Sequence, residues 1–194
     1  MNYFEDILEH ILLFKKKGFK EFNNGAKLFG KAVHIASEAY SHKLFKPLNK
    51  DDIRLLENEI NTKIPKEYKD FLLNKTNGLL FFVANFSLDG LRKQLGRDLE
   101  AGAQPFDLQT PNTLEKPKNT KEEYFFIGGY GYDASKLYID KNTGKVHYCK
   151  RYDATSLFEW ESFEEMISQE TKRIFKLFDD KGVRLVPGKE ILPC

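Results

Sequence analysis

Apolar positions recur at helical spacing in the first residues of the chain. Phe4, Ile7, Leu8, Ile11 and Leu12 form one stripe over residues 2–17, and Gly18 follows as a stop. The basic run Lys15–Lys17 closes that helix, where the macrodipole accommodates positive charge. Residues 19–48 carry no clean period; a helix is expected over Ala26–Tyr40, with Leu28, Val33, Ile35 and Ala36 as core contacts. The clearest instructions lie in 49–82. Asn49 or Asp51 can cap a helix whose stripe is Ile53, Leu56 and Ile60, and the pattern breaks at Ile64-Pro65. Proline suits the first turn of a new helix, so Lys66–Lys75 is the next one, with Tyr68, Phe71 and Leu72 on one face and Asn77-Gly78 as its stop. Leu79–Val83 is too short and too apolar for a surface helix and reads as a buried strand.

Beyond the turn at Leu88-Asp89-Gly90, residues 96–123 are polar and carry Pro105, Pro111 and Pro117. That spacing argues against a long helix or a central strand and predicts a long surface connection with short helical turns. Connections of this length are commonly functional, and a tolerated insertion is an equal alternative. Three strands follow at Tyr124–Gly129, Lys136–Asp140 and Lys145–Lys150. The last two are joined by a hairpin at Asp140-Lys-Asn142-Thr-Gly144, which predicts an antiparallel meander. Ser162 caps a closing helix to Lys176, with Glu165 three positions later. Val183–Leu185 can form a last short strand before a loose tail.

Composition narrows the function classes. The balance of 31 basic and 29 acidic residues, net charge +2, gives no general pull toward nucleic acid or membrane. Two cysteines, Cys149 and Cys194, are too few for a secreted disulfide framework and suit a reducing cytosol; the N-terminus lacks the basic start of a signal peptide. Two glycine-rich stretches resemble nucleotide sites and fail on context. Gly25–Ala32 has Ala32 where a phosphate loop needs a hydroxyl for magnesium. Gly129–Ala134 has the form GxGxxA but is followed by a strand pattern rather than a helix. His10, His34, His42 and His147 are scattered, and His147 and Cys149 point in parallel from one strand, a poor geometry for proton transfer. No catalytic, cofactor-binding or metal-binding residue is expected. The 17 Phe and 9 Tyr exceed what a core alone asks for and leave aromatic side chains available to an interface.

The ordered set of signals resembles the SUKH superfamily, which groups the fungal cell-wall synthesis regulator with many bacterial immunity proteins. The resemblance rests on Ile64-Pro65-Lys66-Glu67-Tyr68-Lys69-Asp70-Phe71-Leu72 and Asn77-Gly78, then on Phe125–Gly128, Leu137–Asp140, Thr143–Val146 and Ser162–Ile167. It implies a single α+β domain with a mainly antiparallel sheet of about four to six strands flanked by helices. To this is added an extra N-terminal helical segment, residues 1–48 packing on a domain of 49–194 whose core is 49–170. It implies a cytoplasmic protein without catalytic residues that binds and neutralises a cognate toxin domain, often a nuclease. The alternative is a regulatory or scaffold module akin to the cell-wall synthesis regulators. The expected contact surface is the loop carrying Tyr130, Tyr132 and Asp133, taken to be exposed at one end of the sheet; that its tyrosines merely cover the core edge is the plainer alternative.

Overall fold

The computed structural model describes residues 3–94, 96 and 98–194. Its centre is one antiparallel sheet of nine strands whose spatial order is the chain order, β1 to β9. The strands are β1 (Phe19–Glu21), β2 (Lys27–Lys31), β3 (Tyr40–Leu44), β4 (Leu79–Phe81), β5 (Phe86–Leu88), β6 (Tyr124–Tyr130), β7 (Lys136–Asp140), β8 (Val146–Lys150) and β9 (Asp153–Trp160). The expected four to six strands are therefore too few, and the helix expected over Ala26–Tyr40 is a hairpin of β2 and β3. Leu28 is buried as anticipated. Val33 and Ile35 lie 69% and 60% exposed at the hairpin tip, so their apolar spacing marks no core face.

Four helices cover one face of the sheet: α1 (Tyr3–Leu13), α2 (Lys50–Glu59), α3 (Lys66–Asn74) and, after a four-residue α4 (Leu99–Gly102) elsewhere, α5 (Phe163–Phe175). α2, α3 and α5 each start or stop for a local chemical reason. The Asn49 side chain accepts from the amides of Asp51 and Asp52 while Asp52 returns the bond to the Asn49 amide. Pro65 begins α3, and the amides of Lys75 and Thr76 close it on the Phe71 carbonyl, before the expected stop at Asn77-Gly78. The Ser162 hydroxyl accepts from the Glu165 amide at 3.1 Å to cap α5. Ile7 and Ile11 of α1, Leu56 of α2, Tyr68 and Phe71 of α3, and Met166 and Ile167 of α5 meet Phe81, Phe86, Phe125 and Leu137 of the sheet in one core. Tyr68 is its pivot, fully buried, its hydroxyl donating to the main-chain oxygens of Asp89 and Ile127.

Side chains alternate across strands, so Leu80, Ser87, Phe126 and Tyr138 face the other way. The 89–123 connection crosses this second face and closes two smaller cores. Ala103, just after α4, packs with Leu28, Tyr40 and Leu80; Phe126, Tyr138, Cys149 and Ala154 form the other. Near this second cluster a π turn at Thr110–Leu114 is pinned by Asn112, whose amide donates to the Phe126 carbonyl and accepts from the Phe126 amide. The tail is fixed rather than loose. Val183–Leu185 makes only an isolated bridge, and a 3₁₀ turn at Gly188–Ile191 buries Ile191 completely.

Candidate partner-binding surface

Three segments converge at one end of the sheet: the β4–β5 turn, the β6–β7 loop and the C-terminal tail. The β4–β5 turn is the most unusual backbone in the protein. Phe82, Val83 and Ala84 have φ of 45°, 54° and 62°, three successive non-glycine residues in the left-handed region. Each such residue costs about 1–2 kcal/mol. The conformation sends the Phe82 ring back into the core, stacked on Phe178 at 4.0 Å, and is tied by the Asn85 amide group donating to the Phe82 carbonyl at 2.6 Å. Val83→Gly removes a β-branched side chain from this conformation, and the relief exceeds glycine's own entropy cost by about 0.5–1 kcal/mol. A denaturant midpoint that rises accordingly is the expected result; a fall would mean that Val83 packing dominates.

The β6–β7 loop rests on that turn, the Gly131 amide donating to the Asn85 carbonyl at 3.2 Å. The exposure expected for its three candidates fails at Tyr130. This residue is 2% exposed, because it continues the inward side of β6, and its phenol donates to Glu170 at 2.6 Å. Glu170 in turn accepts from Arg173 at 2.6 and 3.0 Å, and Arg173 donates to the main-chain oxygens of Glu190 and Ile191, holding the tail. Burial, then Glu170, raises the Tyr130 hydroxyl well above the usual phenol range, so it remains a donor. Tyr132 and Asp133 do reach solvent. Tyr132 is 52% exposed and its ring lies against Gly188, where a methyl group would fall 2.5 Å from the ring edge. Asp133 turns its carboxylate onto the Ser135 amide at 3.0 Å and shapes the loop.

Beside this loop, on the second face of the sheet, lies a groove of about 180 Å³. Ser87, Asp89, Gly128, Gly129, Lys136 and Phe106 form its floor and walls, and Gly131 and Ala134 its end. The two floor glycines are required by the backbone. A methyl group would lie 2.1 Å from the Ser87 oxygen at Gly128 and 2.0 Å from the Ser135 oxygen at Gly129. Asp89 is 9% exposed, and burial pushes its carboxyl up to about 7, opposed by Lys136 and assisted by Asp107. Sequence reading missed Asp89, taking it for a turn residue; it follows β5 and still pairs with β6, its amide donating to the Ile127 oxygen at 2.8 Å.

The remaining candidates for chemistry lie apart. His147 stacks on Tyr138 with Nδ1 2.9 Å from the Ser156 hydroxyl, and burial pushes the Cys149 thiol up to about 12, which keeps it protonated at neutral pH. Among the described residues no group of three His, Cys, Asp or Glu side chains is placed to hold a metal ion, and no helix is long and apolar enough to cross a membrane.

The architecture is an α+β scaffold with helices on one face of a meander and ordered turns at one end. The profile of the SMI1 / KNR4 family (SUKH-1) matches residues 47–169, and the chain belongs to that family. The matched span runs from α2 into α5 and leaves α1 and β1–β3 outside. No curated protein sequence matches the chain significantly.

Proposed function

We propose that the protein acts by binding rather than by catalysis, and that it neutralises a protein toxin domain in the bacterial cytoplasm. Family membership over 47–169 is the observation that carries the reading, since both immunity proteins and cell-wall synthesis regulators fall within that relationship. The contact surface in this reading is the sheet end presenting Tyr132 and Asp133. Tyr132 offers a large amphipathic ring whose position against Gly188 is already fixed, so little entropy is lost on binding. Asp133 adds a charge at the rim, and Tyr130 supports the loop from beneath through Glu170.

The test is co-expression with the product of a toxin-like neighbouring gene. Growth is rescued and the two proteins co-elute; Tyr132→Ala weakens the complex by about 2 kcal/mol, roughly thirtyfold. Full toxicity with no co-elution sinks the reading and leaves the alternative of a regulatory scaffold.

A further inference from the structure

The groove beside the β6–β7 loop is lined by a largely buried carboxyl, that of Asp89. The Asp89 main chain is committed, its amide to Ile127 and its oxygen to the Tyr68 hydroxyl, so the residue is held in place. Its carboxyl has neither a hydrogen bond nor an ion pair among the described residues, although it is nine-tenths buried. Buried carboxylates are ordinarily paired, because desolvation penalises the charged form. Lys136 lines the same groove but makes no ion pair with Asp89, and Asp107, outside the lining and accepting from the Gln109 amide at 3.0 Å, adds negative charge nearby. The Asp89 carboxyl therefore faces the groove without a cation bound to it among the described residues.

We propose that this groove receives a basic side chain of a protein partner, with Asp89 as its counter-ion. The shape fits one side chain. Its volume of about 180 Å³ is below the roughly 300–1,000 Å³ of sites that enclose whole small molecules. Gly128 and Gly129 put no side chains on the floor, so the incoming group reaches the carboxylate unobstructed. Phe106, 47% exposed at the wall, offers a ring face to a guanidinium or an ammonium. Gly131 and Ala134 belong both to the groove and to the loop carrying Tyr132, so a partner resting on that loop stands at the groove's mouth. This inference rests on the partner-binding reading, and its test is separable from it.

The test is a nuclear magnetic resonance titration of the free protein, in separate arms, with methylguanidinium chloride, n-butylammonium chloride and sodium propionate. Either cation is expected to shift the amides of Gly128, Gly129, Gly131 and Lys136 saturably, with dissociation constants in the millimolar range; the tighter arm identifies arginine or lysine as the natural occupant. The cation binds about tenfold more weakly near pH 6 than near pH 8, as Asp89 takes up its proton. Asp89→Asn, nearly identical in shape, abolishes saturation while its spectrum stays dispersed. No saturable shift up to roughly 100 mM, unchanged binding in Asp89→Asn, or preference for propionate overturns the proposal. If a toxin complex forms and Asp89→Asn leaves its affinity within about threefold, the groove is not a contact and the proposal fails, while the neutralisation reading stands. If no complex forms, the neutralisation reading fails and the titration alone decides the groove.

Discussion

His42→Leu makes the protein more stable, and the gain is larger near pH 5 than near pH 7. His42 is fully buried on β3, and neither ring nitrogen has a hydrogen-bond partner. Its neighbours are Phe14 at 4.6 Å, Phe81 at 4.7 Å, Phe82 at 4.5 Å and Phe175 at 5.8 Å between ring centroids. Burial alone lowers its pKa to about 3, and no charged group contributes. Between pH 3 and pH 6.5 the unfolded chain therefore binds a proton that the folded one refuses, and stability falls as pH falls through that window. From pH 7 to pH 5 the linkage costs the wild type about 2 kcal/mol, on the order of 4–5 kcal/mol by pH 3. Leucine also removes two unsatisfied polar atoms, worth about 1–3 kcal/mol at any pH. Asp89 has the opposite sign: its raised pKa makes the folded state the better proton binder between about 4 and 7, so acid favours folding there. The wild-type stability profile is therefore flatter than either group alone would give, and the informative quantity is the difference between variant and wild type, from which Asp89 cancels. Urea melts at the two pH values measure it; a gap that does not widen in acid shows that the imidazole is solvated or paired.

The second large effect belongs to Glu170. Glu170→Leu leaves the Tyr130 hydroxyl buried without an acceptor and Arg173, about one-third exposed, without its carboxylate. Breaking a fully buried pair costs about 3–5 kcal/mol, and the exposure of Arg173 reduces this to about 2–4 kcal/mol. A drop in Tm of roughly 5–12 °C is expected for a chain of this size. Tyr130→Phe alone costs about 1.5–3 kcal/mol, because it removes a hydrogen bond to a charged group. In the Glu170→Leu background the same change is neutral or favourable. Additive losses in this cycle would mean that the three side chains do not act as one network.

What could be read in the residues was local. Asn49, Ile64-Pro65, Asp140–Gly144 and Ser162 act within a few positions of themselves, and the structure places a cap, start or turn at each. Asn77, expected to stop α3, instead lies beyond its Lys75 cap and pairs its side chain with the main chain of Leu91. What was lost depended on distant partners. β2 and β3 were hidden because residues 19–48 carry no clean period and the apolar Val33 and Ile35 belong to an exposed hairpin tip. β5 was missed because the turn before it is built from Phe82, Val83 and Ala84, none a turn former by propensity. β9 shows little hydrophobic alternation, since Thr155–Glu159 are all exposed. At the candidate site, Tyr130 and Tyr132 look alike in sequence, but Tyr130 is the last inward residue of β6 and meets Glu170 of α5, while Tyr132 lies beyond the strand. The Glu170–Arg173 pair, spaced i and i+3 on the closing helix with Glu170 on its inner side, was the available signal. Asp89 had none beyond its place directly after an apolar strand.

Because the strands lie in the sheet in their order of synthesis, each can pair with the one made just before it. The nine of them span eight spacings of about 4.8 Å, so the sheet measures roughly 38 Å from β1 to β9 along its own surface. The helical layer follows another timetable. The His10 ring of α1 meets the Phe175 ring of α5 at 4.7 Å, and Asp6 approaches Lys172 at 3.9 Å, so the first helix is finished by the last. A chain truncated after Trp160 contains every strand of the native sheet, yet Tyr68 and Phe71 lack the Phe163 ring that closes over them. Pairing in the sheet follows chain order throughout, whereas closure of the core requires α5, so removal of the C-terminal segment is expected to leave a sheet with part of its apolar face uncovered.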